Sequence, residues 1–451
     1  MTTPTPFSRR YQRAAILSGV LIVVIVVTAA GLALRGANPT PTVIPTATPP
    51  IPHDLAPDAV TDRAFPSLTY GVHAFLWWNP AMRGVDLDNI SLMAFSHVKQ
   101  RFTWENMEPL PGVWMWTQAD GVVDEIERRG MHVIARLDGP PDWAVRKLAH
   151  PTDPPVDLAA WGEFCGTLAA RYKGRIDGYQ VWNEPNLNRE WLGNLPNATG
   201  YVKLLQTCAQ AVRASDPDAV IISAGLAPTG TQLPDAVPDI DFLRMMYAAG
   251  ASPWYDVLGL NAPGYGNPPE MSPGEAEDAG FLRWMCFRHV EDMRAIMVQE
   301  GDAHKQVALL EVGWTTDPRP DSPYHWHAVT EDQQAEYLVG AYEYAAAHWR
   351  PWVGLMITIY IADLDWTPDD EEYWWAINQA GYAWNWKGRP AYFQLSWMER
   401  YIDDTYIPPR DPGAPDVTTV RPKSSSEKER FYGVLRFLSR FTDLVEMLIR
   451  W

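Results

Sequence analysis

Residues 179–188 read YQVWNEPNLN. An apolar run from Ile176 to Trp182 stops here, and Glu184 stands between Asn183 and Pro185. A short, bounded apolar run is how a buried strand reads. Proline then offers no N–H for a further ladder bond. Glu184 is therefore expected at the end of a strand, where a loop begins. The plainer alternative is a turn carrying a solvated acid, and the rest of the chain decides between the two.

Outward from this stretch, short apolar runs alternate with amphipathic ones. The runs are Thr69–Phe75, His97–Phe102, His132–Leu137, Gly178–Trp182, Val220–Ala224, Asp256–Leu260, Val307–Val312 and Val353–Ile359. Helical spacing recurs over Ala119–Arg129, Leu158–Tyr172, Tyr201–Ala214, Arg283–Gln299 and Glu331–His348. The last of these opens on Thr330-Glu-Asp-Gln333, a capping-box pattern. Eight such runs predict an α/β fold, a (β/α)8 TIM barrel over residues 59–405, with its reaction site at the strands' C-terminal ends. A doubly wound open sheet is the rival, but no glycine-rich phosphate loop follows the first run.

Glu184 ends the fourth run. The seventh reads VALLEVGW (307–314), so Glu311 sits inside an otherwise apolar strand end. A carboxylate is costly there unless it is paired or used. Two glutamates at the ends of strands four and seven would face one cavity. That is the layout for glycoside cleavage by two carboxyls, one protonating the leaving oxygen and the other attacking the anomeric carbon. Glu184 would be the acid/base, needing its proton near neutral pH. Glu311 would be the nucleophile, held ionised by donors such as Arg101 or Tyr265. Asn183 is placed to hold a sugar 2-hydroxyl, His73 to point into the cavity, and Trp366 to supply a stacking floor.

The stretch from about residue 68 to 400 resembles the clan A glycoside hydrolases, most closely families 39 and 5. The resemblance rests on VWNEPN (181–186), LLEVGW (309–314), RFTWENMEPLPGVWMW (101–116) and GPPDWA (139–144), taken in their order and spacing. It implies a barrel, retention of configuration, Glu184 as acid/base and Glu311 as nucleophile. One departure stands out. After strand six such enzymes often carry a His near a Tyr, whereas this chain reads GLNAPGYG, with Asn261 in the His place and Tyr265 further on. That departure motivates the alternative of a catalytically inactive carbohydrate-binding barrel.

Composition bounds the partners. The 451 residues carry a formal net charge of −18, which does not suit a nucleic-acid groove. The 22 tryptophans suit a core and also flat, partly apolar ligands such as sugars. No cofactor is implied. His325 and His327 lack a metal-binding spacing, so no metal is expected. Glu105 and Glu108 read as loop-shaping residues. Asp363 and Asp365 read as either subsite or loop-capping groups. Cys165 and Cys208 fall in consecutive helices and are expected to be buried thiols, although they could meet.

Both ends differ from the middle. Residues 1–13 hold Arg9, Arg10 and Arg13 before an uncharged apolar stretch at 14–34. This reads as a single-pass membrane anchor with the N-terminus cytoplasmic and the bulk extracytoplasmic; a cleaved signal peptide, and hence secretion, is the rival. Residues 35–58 form a Pro/Thr-rich spacer. Residues 406–451 read as a loop followed by an amphipathic helix, with Phe431 to Leu448 at helical spacing.

Overall fold

In the computed structural model of the chain, residues 54–145, 152–191, 195–382, 385–402 and 405–409 are described. The eight apolar runs pair, all parallel and in chain order, into a closed barrel. Its strands are β1 (Thr69–His73), β2 (His97–Thr103), β3 (His132–Asp138), β4 (Gly178–Val181), β5 (Val220–Ile222), β6 (Val257–Pro263), β7 (Gln306–Gly313) and β8 (Val353–Thr358). β8 closes onto β1 with Leu355 opposite Thr69 and Thr358 opposite Val72. The open doubly wound sheet is thereby excluded.

Apolar side chains fill two layers. Ile134, Ile222, Val257, Ala308, Leu310, Leu355 and Ile357 pack inside the barrel, with Phe65 at its foot. The larger cluster lies between the strands and the surrounding helices, among them Leu158–Arg171, Ala198–Ser215 and Glu331–His348. Trp104, Trp161, Trp182, Trp314, Trp349 and Trp352 are fully buried there. Much of the tryptophan content therefore builds the core, where each ring removes ~150–250 Å² from water. The Thr330/Gln333 capping box forms as expected.

Three differences from the sequence reading have physical causes. Cys165 and Cys208 are joined as a disulfide rather than standing as free thiols. Their helices carry Gly162 and Gly166 against Thr207 and Ala211, and this close approach leaves the two Cα atoms 5.4 Å apart. The helix expected from Arg283 begins at Val290, after a 3-10 turn at Phe287–His289. Helices at Pro80–Leu92, Asp239–Ala248 and Pro390–Trp397 were not anticipated; proline stands at the first turn of two of them, where it is tolerated.

Among the described residues no helix is long and apolar enough to cross a membrane. The expected anchor at 14–34, most of the spacer and the helix at 431–448 lie outside the described residues.

One irregularity builds the site. Along the β6–β7 seam Leu260 pairs with Leu309, but the next residue, Asn261, pairs with Glu311. The β7–β8 register also shifts between Leu309 and Val312. Leu310 is thus an extra residue in β7, a bulge of the kind that re-aims side chains. Leu310 turns into the barrel, against Gly259, where an added Cβ would come within 2.7 Å of it. Strict alternation would then send Glu311 outward. The bulge brings it to the barrel mouth instead, beside Asn261.

Candidate active site

Glu184 and Glu311 meet as the sequence predicts. Asn261 Nδ2 donates to Glu184 Oε1 at 2.9 Å and to Glu311 Oε2 at 3.3 Å. These two bonds bound the distance between the two oxygens by their sum. Glu184 is 8% exposed and the Glu311 side chain 14%, so both border the cleft without lying open.

The backbone under Glu184 is bent to hold it. Trp182 and Glu184 have φ of 74° and 35°, left-handed values that non-glycine residues rarely adopt. Such conformations cost on the order of 1–3 kcal/mol each and persist where surroundings over-determine them. Here Trp182 N–H donates to Leu137 O at 2.9 Å, its indole N–H to Glu190 O at 2.9 Å, and Glu184 N–H to Gly225 O at 3.2 Å.

Glu311 is held by cations that the sequence reading missed. Lys99, on β2 and wholly buried, donates from Nζ to Leu310 O at 3.0 Å and to Glu311 Oε1 at 3.2 Å. Arg136, on β3, stands 3.8 Å from the same oxygen. Burial pushes the Lys99 ammonium down to about 8, with Glu311 opposing the fall. Burial likewise works against Arg136, but Asp138 and Glu311 outweigh it and hold the guanidinium firmly charged.

Arg101 does not take the expected role. The β2–β3 register sets it beside Arg136, and both reach Asp138, Arg101 at 2.6 Å and Arg136 at 2.7 Å. Asp138 is buried, which would raise it, but the two guanidiniums hold it below the usual carboxylate range. Tyr265 also does not reach Glu311; its hydroxyl donates to Pro228 O at 2.8 Å.

His73 lies at the end of β1, buried, with neither ring nitrogen hydrogen-bonded among the described residues. Burial, then the charges of Lys99, Arg136 and Arg101, drive its imidazole well below the usual range, so it is neutral. It stacks on Phe75 at 4.7 Å and meets Tyr360 edge-on at 5.3 Å. Trp366 closes this group, 4.8 Å from Phe75 and 5.4 Å from Tyr360. Asn183 is buried, and its Oδ1 is without a partner among the described residues.

Two further groups stand on the loop after β4. Arg189 donates to Glu184 Oε2 at 2.9 Å. Glu190 is pushed up to about 7 by burial and by the neighbouring Glu184. Neither stands out in the sequence, although both lie within six residues of Glu184, just past the quoted stretch. The loop-shaping reading of Glu108 holds: it accepts from the Trp104 indole and from Gly112 N–H, both at 2.7 Å. Asp363 accepts from Asn79 at 3.0 Å and from its own loop at Asp365 N–H, 3.0 Å, which is the loop-capping role.

No protein-family model and no curated protein matches the chain. Solved structures do. A family 39 glycoside hydrolase from Bacteroides cellulosilyticus is 17% identical with a TM-score of 0.51, over 75% of this chain and 64% of that one. A family 5 (subfamily 18) glycoside hydrolase from Streptomyces cattleya, solved with GlcNAc, is 16% identical with a TM-score of 0.54, over 74% and 79%. Xylanase 10B from Thermotoga petrophila, solved with xylobiose, is 14% identical with a TM-score of 0.50, over 77% and 96%. The chain spans less than two thirds of the family 39 protein, 64% of its length. The fold is the barrel that these glycoside hydrolases share.

Proposed function

We propose that the protein is a retaining glycoside hydrolase that cleaves β-glycosidic bonds of an oligo- or polysaccharide. The observation that carries this reading is the Asn261 amide donating to both carboxylates at once. A donor shared by both carboxylates keeps them close together, which favours the ~5–5.5 Å separation of retaining pairs over the ~6.5–9.5 Å of inverting ones. The Asn261 departure therefore supports the pair and does not favour an inactive barrel.

In this reading a proton passes from the Glu184 carboxyl to the glycosidic oxygen as that bond to the anomeric carbon breaks. A Glu311 oxygen bonds to the same carbon, giving a glycosyl ester and a free leaving alcohol. Glu184, now ionised, takes a proton from water; the water oxygen displaces Glu311 and the sugar leaves. Lys99 and Arg136 stabilise Glu311 whenever it is ionised, before attack and after release. Both Glu184 oxygens carry donors, so protonation requires one to let go; Arg189, whose side chain is more open than that of the buried Asn261, is the donor that releases. Asn183, His73, Arg101 and Trp366 line the cavity as sugar contacts.

The apolar stretch at 14–34 supports anchorage in a membrane with the barrel extracytoplasmic. The Cys165–Cys208 disulfide agrees with an oxidising compartment.

The test is sugar release by the full chain from aryl β-glycosides and a polysaccharide panel, with Glu184→Gln and Glu311→Gln alongside. Loss of nearly all turnover in both variants is expected. Full activity in either one would sink its assignment.

A further inference from the structure

The loop after β5 ties the ends of β4 and β6 together under the candidate pair. Glu184 N–H donates to Gly225 O at 3.2 Å, and Asn261 N–H donates to Leu226 O at 3.2 Å. Consecutive carbonyls thus hold the acid and the residue that bridges both carboxylates. The loop is itself fixed from behind. Ala224 N–H donates to the Tyr201 hydroxyl at 2.6 Å, which in turn donates to Val181 O on β4 at 3.1 Å. Asn186 closes the other end, its Oδ1 accepting from Ala227 N–H at 3.0 Å and its Nδ2 donating to Ala227 O at 2.9 Å. Tyr201 and Asn186 are both fully buried.

Gly225 is a glycine for want of room and not for backbone freedom. Its φ lies outside the left-handed range that favours glycine. A Cβ built on it would overlap Asn261 Oδ1 and fall 2.9 Å from Asn261 Cγ. Both atoms belong to the end of one side chain, so an added methyl would turn that amide and leave the loop in place. Asn261 has only one useful orientation. Its Nδ2 donates to Glu184 and to Glu311, and its buried Oδ1, set over Gly225, has no partner among the described residues. Turned over, the amide would set its oxygen against ionised carboxylates, which only accept.

We propose that Gly225 is a positioning residue of the catalytic pair: its carbonyl fixes the backbone of Glu184, and its missing side chain leaves the space from which the Asn261 amide reaches both glutamates. This rests on the glycosidase reading and adds to it the residue that keeps the pair aligned. Gly225 touches neither carboxylate through a side chain and acts through Asn261.

The test measures kcat and KM on an aryl β-glycoside for wild type, Gly225→Ala, Asn261→Ala and the double variant, beside urea denaturation of all four. With Asn261 present, Gly225→Ala is expected to lower kcat by about 10–10²-fold, as the loss of one hydrogen bond to a charged group would, with KM little changed. On the Asn261→Ala protein the same change should cost less than about twofold, because the side chain it displaces is gone. Equal losses in the two backgrounds, or no loss with Asn261 present, would overturn the proposal. Absence of turnover by wild type would instead strike the glycosidase reading. The denaturation midpoints then decide on their own: Gly225→Ala must lower the midpoint only where Asn261 is present, and equal shifts, or none, overturn it. Should Gly225→Ala fail to fold, the double variant has to fold, and its failure would overturn the proposal as well.

Discussion

Lys99 Nζ stands 3.2 Å from Glu311 Oε1 with its side chain wholly buried. It couples the candidate nucleophile to a strand on the far side of the barrel. Breaking a buried pair by removing one partner costs ~3–5 kcal/mol. Lys99→Met is therefore expected to lower kcat/KM by on the order of 10²–10³-fold. The ammonium titrates at about 8, so wild-type activity should fall as pH rises through that value. Stability moves the other way for this group. Its folded pKa lies below the unfolded value, so the unfolded chain binds more protons between about 8 and 10.5 and the Lys99 contribution rises with pH there. Steady-state kinetics beside denaturation curves from pH 6 to 10 checks this; an activity loss that tracks unfolding would exclude Lys99 titration as its cause.

Asn261 is the second lever on the pair. Truncation to Ala removes two hydrogen bonds to charged groups, each worth ~1.5–3 kcal/mol. The expected outcome is a fall in kcat of roughly 10²–10⁴-fold with KM little changed, since the carboxylates lose position more than the sugar loses contacts. A change confined to KM would place Asn261 in substrate binding alone.

How much of this was legible in the sequence follows from where the signals lie. The eight strands are legible because parallel barrel strands, buried on both faces, read as continuous apolar runs. Glu184 and Glu311 are legible because a carboxylate ending such a run has to be paired or used. The same rule would have found Lys99 in HVKQRFT and Arg136 in HVIARLD, where charges interrupt buried strands. Arg101 reads as the donor because it ends the second run. Which cation reaches Glu311 depends on register across β2, β3 and β7 and on the Leu310 bulge, and no local pattern reports either. Arg189 and Glu190 were hidden for another reason: in a loop, charged residues are ordinary.

Away from the site, His289 joins the helix Asp239–Ala248 to the helix Val290–Gln299. Its Nε2 is 2.8 Å from Asp239 and its Nδ1 3.3 Å from Asp292. Burial alone would lower the imidazole, but Asp239 and Asp292 raise it to about 9. A raised folded pKa stabilises fully below the unfolded value of ~6.5 and loses that contribution as pH passes about 9. The difference amounts to on the order of 3 kcal/mol. Urea denaturation at pH 6 and pH 9.5 should show the loss in wild type and a smaller one in His289→Gln. Equal losses in the two would remove His289 from the account.

The Cys165–Cys208 disulfide closes a 43-residue separation. Replacing both cysteines with Ala is expected to lower stability by ~2–4 kcal/mol while leaving kcat/KM within about twofold, because the bond lies in the helical layer. Unchanged denaturation midpoints with and without reductant would contradict a formed bond.

The central claim is a retaining pair, and the anomer first released by the wild-type protein tests it most directly. Proton NMR during early hydrolysis of an aryl β-glycoside would follow the product before mutarotation. The account predicts that the β-anomer appears first, because two displacements at the anomeric carbon restore its configuration. First appearance of the α-anomer would mean a single displacement by water, and Glu311 would then not be the nucleophile.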